Sequence, residues 1–121
     1  MENSEFKIML IKRSIELARE VMKLVDNFPK KVSARVISDQ LLRSSMSVGA
    51  NITEAQAASS KRDFINFLSH SLKSGNETKF WLILARDLDG NLMPEINRLI
   101  KEADEIVRIL GSSISRLKEK I

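Results

Sequence analysis

The chain has 121 residues, 43% of them hydrophobic, with no cysteine, a single histidine, and a net charge of +4 at a pI of about 9.6. That length suits one domain over residues 1–121, and the apolar share is enough for a continuous core, which excludes disorder as the main state. The missing cysteines exclude disulfides, thiolate zinc sites and cysteine nucleophiles, and fit a reducing cytoplasm, while His70 alone leaves almost no room for histidine-based catalysis or metal binding.

Residues Glu2, Glu5 and Lys7 stand where a secretory leader would be apolar, so none is expected. The first periodic stretch predicts a helix over about 5–28. Ile8, Ile11, Ile15, Ala18, Met22 and Val25 recur at spacings of 3 and 4, and read as its core stripe. Leu10, Leu17, Val21, Leu24 and Phe28 form a second row that widens it. Ser4 is the expected N-cap, and Pro29 ends the helix by clashing with the preceding turn.

A second helix is expected from Ser33 to about Ala58, with Ile37, Leu41, Ser44 or Ser45, Val48, Ile52 and Ala55 facing inward. Its second half is rich in Ser, Ala, Gly and Thr, which weakens helix propensity but lets another backbone come close. The third helix opens on Ser60-Lys61-Arg62-Asp63, a capping-box pattern. Its seam is Phe64, Leu68, Ser71, Gly75, Thr78, Leu82 and Ala85, small in the middle and matched to the small stretch before it. Phe67, Trp81 and Leu84 fall off that line, so this helix is apolar on more than one side. A fourth helix starts at Pro94, with Ile96, Leu99, Ile100, Ala103, Ile106, Val107, Leu110, Ile114 and Leu117 on its inner face. No strict alternation supports a strand. The expected fold is all-α, an antiparallel up-down-up-down four-helix bundle.

Chemistry has few footholds in such a sequence. A di-iron bundle needs Glu-x-x-His pairs, and Phe67 stands three positions before His70. No phosphate-cradling glycine loop, nucleophile elbow or metal-ligand spacing occurs, so the chain is not read as an enzyme, and no metal or cofactor is expected. No apolar run approaches the roughly 18 residues of a membrane span. Arg43, Asn51, Glu54 and Glu77 border the apolar stripes and are expected to form a buried polar network that sets helix register. In an antiparallel bundle Lys61, Arg62, Arg116, Lys118 and Lys120 gather with Lys7 at one end, and Lys30, Lys31 and Arg35 with Lys23 at the other. These two clusters are candidate phosphate-binding surfaces.

Leu42-Arg43-Ser44-Ser45-Met46-Ser47-Val48-Gly49-Ala50-Asn51-Ile52-Thr53-Glu54-Ala55, followed by Ser60-Lys61-Arg62-Asp63-Phe64 and by Glu77, Leu82 and Ala85, resembles the family of 23S rRNA intervening-sequence proteins over about residues 5–118. Phe28-Pro29 fits the same pattern. Gly49 stands where that family often has proline, Ala55 where it has glycine, and aliphatic residues around Met9 and Leu10 where it often has an aromatic. The resemblance implies a four-helix bundle without catalytic activity that assembles into a homo-oligomer, most often a pentamer. It also implies binding of RNA or DNA through basic surfaces, and in related bundles service as an accessory to a reverse transcriptase. A purely structural or protein-interaction module is the alternative.

Overall fold

The structure, a computed structural model, describes residues 4–119. Four helices follow one another: α1 (Ser4–Val25), α2 (Val32–Ala55), α3 (Lys61–Ala85) and α4 (Met93–Glu119), with a short 3-10 turn, Gly90–Leu92, leading into the last. The fold is the expected all-α four-helix bundle. Each helix packs on its chain neighbours, and α1 closes the square against α4, so α1 and α3 occupy opposite corners. At 1.5 Å per residue the bundle is about 40 Å long.

The helix ends follow from local chemistry. Ser60 is extended and caps α3, its hydroxyl accepting from Asp63 N at 3.0 Å. Asp63 returns its carboxylate to the backbone and hydroxyl of Ser59, one residue earlier than a reciprocal box with Ser60 requires. Asp89 accepts from Asn91 N at 2.9 Å and starts the 3-10 turn. Helix α1 stops at Val25, three residues short of the expected end. Phe28 precedes Pro29 and is disfavoured in the α region, and Asn27 uses its side-chain amide on the Lys23 carbonyl. Ser4 lies inside the first turn of α1, and any cap before it falls outside the described residues. Helix α2 begins one residue before Ser33 and ends three before Ala58.

The core draws on all four helices, with Leu10, Leu17, Val21, Leu41, Val48, Ile52, Leu68, Leu82, Leu99, Ile106 and Leu110 fully buried. The inner faces expected for α2 and α4 are the observed ones. That of α3 holds from Leu68 to Ala85, with Phe64 half-buried and Ile65 buried beside it.

For α1 the assignment reverses. The second row is the core, and Ile8, Ile15 and Met22 of the expected stripe are exposed. Two apolar rows lie on this helix, and the one that enters the core carries Ser14, which is buried and small. A Cβ on Gly49 would come within 2.8 Å of the Ser14 hydroxyl, so this pair sets the close crossing of α1 and α2. Gly75 departs from expectation as well. A Cβ there would lie 2.6 Å from Val107 of α4 but 4.0 Å from Val48 of α2, so the glycine serves mainly the α3–α4 contact.

Candidate nucleic-acid interface

The antiparallel arrangement brings the two cationic clusters to opposite ends of the bundle. At the α1–α2 turn, Lys30, Lys31 and Arg35 border a surface hollow of about 550 Å³ floored by Val25, Phe28, Pro29 and Ala34. All three cations are exposed, and none forms an ion pair among the described residues. They surround the start of α2, where Lys31 is the extended N-cap residue, no side chain caps the helix, and no carboxylate occupies the first turn. Backbone N–H groups at a helix start carry partial positive charge. Among the described residues no side chain caps or neutralises that charge, and three side-chain cations add to it.

At the other end Arg62 and Lys118 line a hollow of about 620 Å³ with Ser59, Ser60, Asp63 and Asn66. Lys61 borders an adjoining one with Phe64 and Leu117. Arg116 is exposed, and Lys120 lies outside the described residues. This end differs electrostatically from the first. The start of α3 is already capped by Ser60, and the Asp63 carboxylate sits on it, which reduces its pull on an anion. Cation count alone gave no means of ranking the two ends; cap chemistry separates them.

Other cations are committed to holding the helices together. Arg13 of α1 makes a forked contact to Glu102 of α4 at 2.7 and 2.9 Å and reaches Glu105 at 2.9 Å. The hydrogen bond to Glu102, more than any other influence, raises its pKa further above the usual arginine value. Arg98 of α4 binds Glu95 and, at 2.7 Å, Glu20 of α1. Lys79 of α3 meets Asp104 of α4 at 2.9 Å, and Arg108 holds the second oxygen of the same carboxylate at 2.8 Å.

The expected polar network is not assembled within the chain. Arg43 pairs loosely with Asp39 at 3.3 Å in solvent. The half-buried Asn51 donates to the Ser47 carbonyl and hydroxyl at 2.9 and 3.0 Å. Glu77 accepts from Trp81 Nε1 at 3.1 Å, and Glu54 is exposed. Each contact joins residues of one helix. The reason lies in helical geometry: at about 100° per residue, Glu54 lies well round the helix from Ile52 and Ala55, outside the stripe it seemed to border. The polar contacts that do join α2 to α3 come from hydroxyls. Ser71 donates to the Val48 carbonyl at 2.7 Å, and Thr78 and Ser44 hydroxyls lie 3.0 Å apart.

Among the described residues no three His, Asp or Glu side chains are placed to hold a metal ion, His70 is exposed, and no helix is long and apolar enough to cross a membrane. Sequence reasoning missed one set of surface residues, the apolar Met46, Phe80 and Ile83, all exposed. Their signal was present as apolar positions in excess of one stripe per helix.

The family model described as 23S rRNA-intervening sequence protein matches residues 7–112. A crystal structure at 1.70 Å, of a protein with unknown function from the S23 ribosomal protein family of Bacteroides thetaiotaomicron, is 35% identical, with a TM-score of 0.81. The match covers 90% of this chain and 97% of that one. No curated protein matches.

Proposed function

The chain belongs to the 23S rRNA-intervening sequence protein family, and we propose that it is a non-catalytic homo-oligomeric bundle that binds RNA through its basic ends. The observation that carries this reading is the cluster of Lys30, Lys31 and Arg35, unpaired and exposed around the uncapped start of α2. Lys61, Arg62, Arg116 and Lys118 form a second, weaker rim at the opposite end. One subunit offers only a few phosphate contacts. An oligomer with a pentameric ring, the form that the resemblance implies, repeats each end around an axis and multiplies the local field and the avidity. DNA, and a reverse transcriptase as protein partner, belong to the same reading as alternative targets of the ring.

The test is a salt titration of RNA and DNA binding to the assembled protein. The expected result is affinity that falls steeply with salt, with the slope made shallower by Lys30→Glu and Lys31→Glu together, and less so by Lys61→Glu and Arg62→Glu. Absence of binding at low salt overturns the reading. The protein-interaction module then stands in its place, favoured by the exposed row Ile8, Ile15 and Met22 on α1.

A further inference from the structure

Two of the exposed apolar surfaces differ in shape. Between α1 and α2 runs a groove of about 340 Å³ lined by Ile15, Ala18, Met22, Met46, Gly49 and Ala50. Ile15 is 44% exposed and Met22 49%. The groove exists because Gly49 has no side chain to fill it and Ala18 and Ala50 have little. On the far corner of the bundle the last turns of α3 carry a ridge of Phe80, Ile83 and Leu84. Phe80 is 53% exposed and braced edge-on by the Trp81 ring at 5.0 Å.

We infer that these two surfaces bind each other between copies of this chain, the Phe80 ridge of one subunit seating in the α1–α2 groove of the next. This deepens, and rests on, the homo-oligomer in the proposed function.

Charge supports the pairing. Glu77 and Asp87 flank the ridge, exposed and without ion pairs among the described residues; of the nearby cations Lys73 is exposed, while Lys79 and Arg86 reach toward α4, to Asp104 and Asn97. The groove is flanked by the opposite excess. Arg19 lines the groove itself, and Lys12 borders an adjoining hollow where Arg13 and Glu102 neutralise each other, leaving Glu16, which Arg19 approaches only to 3.8 Å. A groove that binds its own kind across a two-fold axis would set Arg19 near Arg19 and leave the ridge bare. Groove on ridge covers both surfaces and matches both signs.

Geometry then dictates the kind of assembly. The surfaces are different patches on different sides, since α3 lies diagonally across from α1, so the contact is heterologous and each subunit uses both. Head-to-tail contacts of this kind generate a closed ring or an open chain. In a closed ring the subunits are related by rotation alone, so Lys30 and Lys31 recur around one rim.

The absence of cysteine allows a direct test. Met46→Cys and Phe80→Cys chains are co-expressed and oxidised mildly. The expected result is a reducible covalent dimer in the mixture and little in either variant alone. Cross-linking of either variant with itself to the same extent, or none in the mixture, overturns the pairing. Light scattering at micromolar concentration adds the second readout. Phe80→Asp and Met22→Asp each bring the wild-type oligomer down to 13.7 kDa with helical circular dichroism unchanged. A wild-type mass of 13.7 kDa overturns the oligomer itself, whereas a wild-type oligomer that both variants leave intact overturns only this interface.

Discussion

The Ser71 hydroxyl donates to the main-chain carbonyl of Val48 across the α2–α3 seam, at 2.7 Å and shielded from solvent. A side chain can reach the backbone of a neighbouring helix only where that helix comes unusually close. The bond thus reports the approach that the small, buried residues Ser44, Ser45 and Ser71 permit.

Ser71→Ala keeps the space and loses the bond, so it lowers unfolding stability by about 0.5–1.5 kcal/mol. Ser71→Leu forces the helices apart and costs more, about 1–3 kcal/mol from overpacking on top of the lost bond. Urea denaturation of both variants checks the ordering, and a Leu variant as stable as the Ala variant refutes the close seam.

Gly75 and Val107 are coupled. A methyl at position 75 would meet the Val107 side chain at 2.6 Å, too close without movement, and the β-branched valine has few rotamers to offer. Gly75→Ala therefore destabilises, and Val107→Ala in the same chain relieves the clash. The double-mutant cycle should yield a coupling energy of about 0.5–3 kcal/mol. Strict additivity shows that the two do not meet.

Ser113 behaves oppositely to Ser71. Its hydroxyl is fully buried and is the one buried side-chain oxygen or nitrogen without a hydrogen-bond partner among the described residues. An unsatisfied buried hydroxyl costs about 1–3 kcal/mol. Ser113→Ala is expected to leave the melting temperature unchanged or raise it, while Ser71→Ala lowers it. Thermal melts of the pair decide this.

Acid should loosen the attachment of α4. Asp104 is held below the usual carboxylate range, first by Arg108 and then by Lys79. Glu20 is held low first by its bond to Lys23 and next by that to Arg98. In both, the folded pKa lies below the unfolded one, so the contribution is complete above the ordinary carboxylate pKa of about 4 and is lost as pH falls through the folded value. Denaturation midpoints are expected to fall in that acid window. Asp104→Asn should flatten the fall, and an unaltered pH profile in that variant counts against the bridge.

High salt should act on the same contacts and leave the core untouched. Arg13 with Glu102 and Glu105, and Arg98 with Glu20, lie where solvent reaches them, and exposed pairs contribute at most about 1 kcal/mol each. Raising ionic strength is therefore expected to shift the urea midpoint only slightly. A large loss of stability in salt means that ion pairs, more than burial, hold α1 to α4.

The sequence alone determined the four helices, their order, and the inner faces of α2 and α4. Each of those rests on local pattern: one apolar stripe at helical spacing, the Ser60 cap, and proline near a helix boundary. It also placed the cations at the two ends, because short connections between long helices leave only an antiparallel path. Helix α1 shows where local pattern stops. Both of its apolar rows have helical spacing, and periodicity reports that a row is apolar without saying what covers it. Only the approach of α2 through Ser14 and Gly49 turned Leu10, Leu17 and Leu24 inward and left Ile8, Ile15 and Met22 outside. The position of Glu54, by contrast, was legible in helical periodicity, which sets it well round the helix from Ile52 and Ala55, while Asn51 and Glu77 found partners on their own helices. Ranking the two basic ends needed the observed start of α2: with the helix beginning at Val32, Lys31 takes the N-cap position and no side chain caps the helix, so its positive end stays open.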